Sequence, residues 1–187
     1  MNFCSTCGAS VVLKIPPGDN RERHVCQSCS TVHYLNPKII AGCILNWEDR
    51  ILLCRRAIEP RYGFWTLPAG FMENGETTMD AAAREAFEEA NAKAEQMTLY
   101  GIYSLKHISQ VHVMFRGVLG QGSASAGAES LEVKLFSAAE IPWQRLAFPV
   151  VRETLQRYLE ERVNGKFQVH SADVFRQSNG QVIIKRH

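Results

Sequence analysis

The apolar positions of this chain fall into short runs separated by turn residues. Ile39-Ile40-Ala41-Gly42-Cys43-Ile44-Leu45 is unbroken, as expected of a strand covered on both faces. Glu48-Asp49 then turns the chain into Ile51-Leu52-Leu53-Cys54, so the pair predicts a hairpin. Two further strands are expected near residues 98–105 and 111–118, and Leu131, Val133 and Leu135 alternate as in a strand. Residues 148–163 carry Val151, Leu155, Tyr158 and Leu159 at helical spacing, and Asn164-Gly165 ends that helix. An alanine-rich segment opens at Thr77, with Asp80 placed to complete a capping box, and runs to about Ala90. Residues 120–128 are Gly, Ser and Ala with one Gln, and are expected to form a flexible loop. Asn179-Gly180 before Gln181-Val182-Ile183-Ile184-Lys185 predicts a last hairpin. Strands mixed with helices in this order suggest an α/β sandwich.

The polar positions of the alanine-rich helix change the picture. Glu85, Glu88 and Glu89 lie at i, i+3 and i+4 and so share one face. Clustered carboxylates repel and raise one another's pKa unless a cation sits among them. Hard oxygen ligands suit Mg²⁺ or Mn²⁺, and those ions suit phosphates. The plain alternative is an acidic surface face.

Four of the six cysteines form Cys4-x-x-Cys7 and Cys26-x-x-Cys29, separated by eighteen residues. That spacing fits a tetrahedral Zn²⁺ site of the zinc-ribbon kind, with Ile15-Pro16-Pro17-Gly18-Asp19-Asn20 as the turn between two short strands. Two disulfides are the competing assignment, disfavoured because the N-terminus carries no secretion pattern. Cys43 and Cys54 sit in apolar runs and are expected in the core.

The 187 residues accommodate one ordinary domain and a small appendage, and the hydrophobic fraction of 45% supports a real core. The expected division is a ribbon over 1–36, a main domain over 37–164 and a C-terminal extension over 165–187. No apolar run is long enough to span a membrane, so a cytoplasmic protein is expected. The formal charge is +2, and four thiolates with one Zn²⁺ would bring it to about zero. Lys14, Arg21, Arg23 and His24 in the ribbon are offset by Asp19 and Glu22. Nucleic acid is therefore not an expected partner.

Gly70, then Glu76, then Arg84-Glu85-x-x-Glu88-Glu89 resembles the Nudix box. Every charged position of the family pattern is filled; Ala86 and Ala92 replace its aliphatics and Asn91 its closing Gly. Further likenesses lie in Tyr34-x-Asn36-Pro37-Lys38, Leu52-Leu53-Cys54-x-Arg56, Trp65-Thr66-Leu67-Pro68-Ala69-Gly70 and Glu129-Ser130-Leu131-Glu132. With the ribbon, these are similar to the zinc-ribbon Nudix hydrolases, in particular the FAD and ADP-ribose pyrophosphatases of plant plastids. The NADH pyrophosphatases of that group carry Ser-Gln-Pro-Trp-Pro-Phe-Pro-Gln-Ser after the box. Here the corresponding stretch is Tyr103-Ser104-Leu105-Lys106-His107-Ile108-Ser109-Gln110, which disfavours NADH.

The resemblance implies a Nudix-type α/β/α sandwich with a mixed sheet. It also implies hydrolysis of the diphosphate of a nucleoside diphosphate derivative with release of AMP. Catalytic Mg²⁺ or Mn²⁺ would be held by Glu85, Glu88, Glu89 and the carbonyl of Ala69, with structural Zn²⁺ on Cys4, Cys7, Cys26 and Cys29. Glu76 and Arg84 carry over as a structural pair. Glu129 is the first candidate for the general base and Glu132 the second. Tyr62, Phe64 and Tyr103 are candidate substrate platforms, whereas Trp65 is expected in the core. The family further implies a homodimer. The rival function is an ADP-ribose-sensing regulator without catalysis, which the retained glutamates disfavour.

Overall fold

The computed structural model describes residues 1–187 as two compact units, Met1–Pro37 and Lys38–His187. The first is a three-stranded antiparallel sheet of β1 (Val11–Lys14), β2 (Arg23–Cys26) and β3 (Val32–His33). Each Cys-x-x-Cys turn closes on a residue in the left-handed region, Gly8 at φ 75° and Ser30 at φ 59°. Such turns aim backbone amides at the sulfurs: Thr6 N donates to Cys4 Sγ, and Ser28 N to Cys26 Sγ, each at 3.4 Å.

The second unit is built on a mixed sheet. It comprises β4 (Lys38–Trp47), β5 (Arg50–Arg56), β6 (Trp65–Thr66), β7 (Ala69–Phe71), β8 (Ala94–Leu105), β9 (Gln110–Leu119), β10 (Ser130–Phe136), β11 (His170–Arg176) and β12 (Val182–Arg186). The order is β10-β5-β4-β9-β8-β11-β12, with β6 beside β5 and β7 beside β4. β4 runs parallel to β9 and β11 parallel to β8. No helix is long and apolar enough to cross a membrane.

Two helices cover the sheet, giving the expected sandwich. α1 (Thr78–Ala90) presents Ala81, Ala82, Ala86 and Ala90, all fully buried, to Ala41, Cys43, Leu45, Cys54 and Phe115. Side chains this small let the helix axis approach the sheet closely, which is what Ala86 and Ala92 do where the family pattern has aliphatics. The helix starts as its sequence requires. Thr77 Oγ1 accepts from Asp80 N at 3.1 Å and Asp80 Oδ2 accepts from Thr77 N at 3.1 Å. It ends at Asn91, in the left-handed region at φ 45°, ψ 30°. α2 (Pro149–Arg162) lies on the opposite face, where Val150, Val151, Leu155 and Tyr158 pack on Ile44, Leu53, Leu67, Tyr100 and Met114. Cys43 and Cys54 are buried as expected.

Two expectations are corrected. Residues 165–187, expected as a C-terminal extension outside the main domain, contain the expected hairpin but belong to the same compact unit as that domain. β11 joins the main sheet, pairing His170–Asp173 with Gly101–Ser104 of β8. A buried polar network clamps it to α2: Arg157 Nη1 lies 2.6 Å from His170 Nδ1, His170 Nε2 lies 2.9 Å from Glu161, and Glu153 accepts from both Arg157 and Arg186. The stretch 120–128 is not a free loop either. Ser125 N donates to Ala90 O, Gly127 N to Glu89 O, and Asn91 Nδ2 to Ser125 O. A Cβ on Gly127 would lie 1.7 Å from the Glu88 carbonyl oxygen. The small residues there serve close docking on the end of α1.

Candidate active site

Ala69, Gly70, Arg84, Glu85, Glu88, Glu89 and Glu129 line one cavity of about 930 Å³. β7 delivers the first two by pairing with β4, Gly42 opposite Ala69 and Ala41 opposite Gly70. Gly70 lets the Glu85 carboxylate lie against the strand, since a Cβ there would push that carboxylate aside. α1 delivers the box acids, and the docked 120–128 stretch delivers Glu129, whose carbonyl accepts from Ala57 N at 2.8 Å.

Arg84 organises the entrance. Its guanidinium reaches Glu76 through Nε at 3.1 Å and Nη2 at 2.9 Å, and Nη2 also donates to the Phe71 carbonyl at 3.0 Å. Nη1 contacts Glu85 at 2.8 Å and Glu88 at 2.9 Å. The pairing with Glu76 raises the arginine's pKa and, together with the Glu73 amide, lowers that of Glu76. The loop is therefore pinned to the helix by a charge-assisted fork.

Glu89 is the outlier. Its side chain is 6% exposed and its Oε2 has no hydrogen-bond partner. Burial pushes its carboxyl up to about 8, with Glu85 and Glu129 adding to the rise and Arg56 opposing it. Burial likewise raises Glu85, against Arg84. An orphaned, buried carboxylate oxygen among other carboxylates fits a divalent cation, because a cation satisfies the lone pairs and removes the repulsion. The four ribbon thiols fit a metal more directly. The Sγ atoms of Cys4, Cys7, Cys26 and Cys29 all lie within 4.8 Å of one another, the only such group of His, Cys, Asp or Glu ligand atoms. The box acids share a cavity without converging that tightly.

Other expected positions fall elsewhere. Glu132 does not line the cavity. A bulge between Ser130 and Glu132 sets it opposite Arg55, which it pairs with at 3.3 Å. Tyr103 is fully buried and packs in the core under α2, so it is no substrate platform. Tyr62 is exposed and Phe64 lies between the guanidinium groups of Arg61 and Arg145, at 5.5 and 5.6 Å. Neither lines the cavity. Trp65 is in the core, edge-on to Phe136 at 4.8 Å. The sequence reading missed Arg56, Arg61, His107, His112, Phe148 and Arg176, which do line it. Arg56 falls in the Leu52-Leu53-Cys54-x-Arg56 stretch, and the others carry no local signature. His33 Nε2, 3.2 Å from Cys4 Sγ, was also missed.

Known proteins resemble the chain in both units. A family profile described as Nudix N-terminal matches residues 2–35, and one described as NUDIX domain matches residues 36–158. A NAD-capped RNA hydrolase NudC of Photobacterium profundum is 32% identical over 146 residues, 75% of this chain and 52% of the relative, so the chain spans about half of that protein. An ADP-ribose pyrophosphatase of Methanocaldococcus jannaschii is 33% identical over 121 residues, 62% of this chain and 69% of the relative. The crystal structure of a NUDIX hydrolase from Nitrosomonas europaea is 53% identical and superposes with a TM-score of 0.87, covering 92% of this chain and 99% of that one. The box, the sandwich that carries it, the ribbon cysteines and these matches agree that the chain belongs to the Nudix hydrolase family, with its zinc-ribbon type of N-terminal segment.

Proposed function

We propose that this protein hydrolyses the diphosphate bond of a nucleoside diphosphate derivative, with ADP-ribose or FAD as substrate and AMP as one product. The observation that carries the reading is the meeting of Glu85, Glu88, Glu89, Glu129 and the Ala69 backbone in one cavity. Its volume of about 930 Å³ is in the range of small-molecule sites. Glu85, Glu88, Glu89 and the Ala69 carbonyl are the groups that would hold Mg²⁺ or Mn²⁺. Such ions supply positive charge to phosphate oxygens and acidify water.

The chain's own groups do the rest. Glu129, set by its backbone contact with Ala57, accepts a proton from the attacking water. The water oxygen bonds to one phosphorus as the bridging P–O bond breaks, leaving two monophosphates. Arg56, whose guanidinium lies 5.1 Å from the Phe148 ring centroid, lines the same cavity and supplies a cation for the departing phosphate. Arg84 acts through Glu76 and Phe71, holding the loop in place. With ADP-ribose the products are AMP and ribose 5-phosphate; with FAD they are AMP and FMN.

The likeness to an ADP-ribose pyrophosphatase supports the first substrate. A second reading, an NADH-type dinucleotide, is favoured by the likeness to a NAD-capped RNA hydrolase and opposed by the missing NADH-type motif at 103–110. The test is AMP release from ADP-ribose, FAD, NADH and NAD⁺ side by side in Mg²⁺ and in Mn²⁺. The expected result is a higher kcat/KM for ADP-ribose or FAD than for NADH. A preference for NADH would move the assignment to the second reading, and no AMP from any of them would leave the regulator.

A further inference from the structure

The family profile ends at residue 158, yet the cavity does not. Away from the box acids its walls continue through Leu105, Met114, Val150 and Val151 to Val174 and Val182 of the C-terminal hairpin. In β11–β12, Val174 pairs with Ile184 and Arg176 with Val182. Strand alternation puts Ala172, Val174 and Arg176 on one face, with Val182, Ile184 and Arg186 beside them. Ala172 and Val174 are buried in the core and Arg186 reaches Glu153 of α2, so this is the hairpin's inward face. Arg176 is the second arginine of that face, and it has no acidic partner. Its guanidinium is solvent-exposed and lines the cavity, on a face where the other arginine is paired, so it is free to meet a ligand there.

The polar content of this end is small. His112 Nε2 lies 3.2 Å from Gln110 Oε1, and both residues line the cavity. With the amide oxygen accepting, the imidazole proton sits on Nε2 and Nδ1 remains an acceptor. Burial pushes His112 down to about 4, so it is neutral at physiological pH. Apolar walls, neutral hydrogen-bonding groups and one guanidinium match a flat ring with apolar faces and a polar edge. They do not match a bare sugar phosphate, which would leave the apolar walls uncovered.

We propose that the C-terminal hairpin forms a specificity subsite for the heteroaromatic ring, nucleobase or flavin, of the substrate, with Arg176 and Val182 as its determinants. Arg176 stacks on or bonds to the ring's polar edge, while Val182 sets the depth of the slot. The subsite deepens the pyrophosphatase reading and rests on it for the identity of the whole substrate. Ring binding can nevertheless be measured without turnover.

The experiment uses the full chain and compares the unaltered protein with Arg176→Ala and Val182→Phe. Calorimetry measures binding of AMP, FMN and ribose 5-phosphate, and kinetics measures AMP release from ADP-ribose and FAD. Arg176 is exposed and Val182 half-buried, and matching thermal melts report that each variant is folded. Expected is a tenfold or greater loss of binding to AMP or FMN in both variants, with ribose 5-phosphate weak and unchanged. In turnover, KM should rise by the same factor while kcat stays within twofold. Loss for AMP alone identifies the nucleobase as the occupant, and loss for FMN alone the flavin. Unchanged binding of both ring compounds overturns the subsite even if hydrolysis is normal, as does equal weakening for ribose 5-phosphate. If the unaltered protein releases no AMP yet Arg176→Ala still weakens ring binding, the subsite stands and the pyrophosphatase reading falls.

Discussion

Replacing Glu89 by Gln should stabilise the metal-free protein while abolishing turnover. In the folded chain this carboxyl is held up to about 8, against 4.5 when solvated. Between those values the unfolded state has released a proton that the folded state keeps, so stability falls as pH rises from about 4.5 through about 8. At pH 7.5 the linkage amounts to about 4 kcal/mol, three decades at 1.36 kcal/mol each. Gln carries no titratable proton, but its buried amide costs about 1 kcal/mol where it lacks a partner. The net expectation is about 3 kcal/mol, or a Tm about 6–12 °C higher. The assay is thermal melting in EDTA from pH 4 to 8.5. The gain should be greatest above pH 7, vanish near pH 5 and reverse slightly near pH 4, where Glu89 is protonated in both states and only the cost of the amide remains. Mg²⁺ should raise the Tm of the unaltered protein and leave the variant nearly unmoved, and kcat should fall at least 100-fold. A variant less stable than its parent in EDTA at pH 7.5, or a gain independent of pH, would refute the account of Glu89 as a strained ligand.

The purified protein should carry about one Zn²⁺ per chain, and Cys26→Ser should lose it and with it the order of residues 1–37. Elemental analysis and protease mapping check this; zinc-free protein with four intact thiols would contradict it. Gly127→Ala should destabilise by about 3 kcal/mol and lower kcat at least tenfold, because its Cβ would sit 1.7 Å from the Glu88 carbonyl oxygen and lift Glu129 away. Urea melts and AMP release at saturating substrate read both effects, and unchanged kcat would dissociate Glu129 from the chemistry.

Local signals were the legible ones. The cap at Thr77, the stop at Asn91, the acid spacing and the two Cys-x-x-Cys turns each involve residues within one or two turns of one another, and all stand in the structure. What failed depends on neighbours distant in sequence. Tyr103 is one case, since no local pattern in β8 fixes which face it takes. A register shift between Leu99 and Gly101 makes Tyr100 the extra residue, and both tyrosines end up buried. The 120–128 stretch looked free because small residues suit both mobility and close approach, and only the carbonyls of α1 decide between them. The hairpin's partner strand, β8, ends some 65 residues before it begins, too far for a local pattern to reveal. Glu129 and Glu132 are separated by a bulge that no periodicity announces.

The placement of that hairpin also bears on how the protein comes into being on the ribosome. The acids of α1 are complete by Ala90, whereas Val174, Arg176 and Val182 are made roughly 90 residues later. At about 5–20 residues per second this is an interval of about 5–18 s. From the time β8 is made, its outer edge stays unpaired for most of that interval, because β11 has not emerged to cover it. A nascent chain can therefore bury α1 early, but it must protect an open sheet edge until nearly its last residues appear. Stalling or cleavage before residue 170 would yield a species with the box intact, one wall of its cavity missing and an edge ready to recruit another chain.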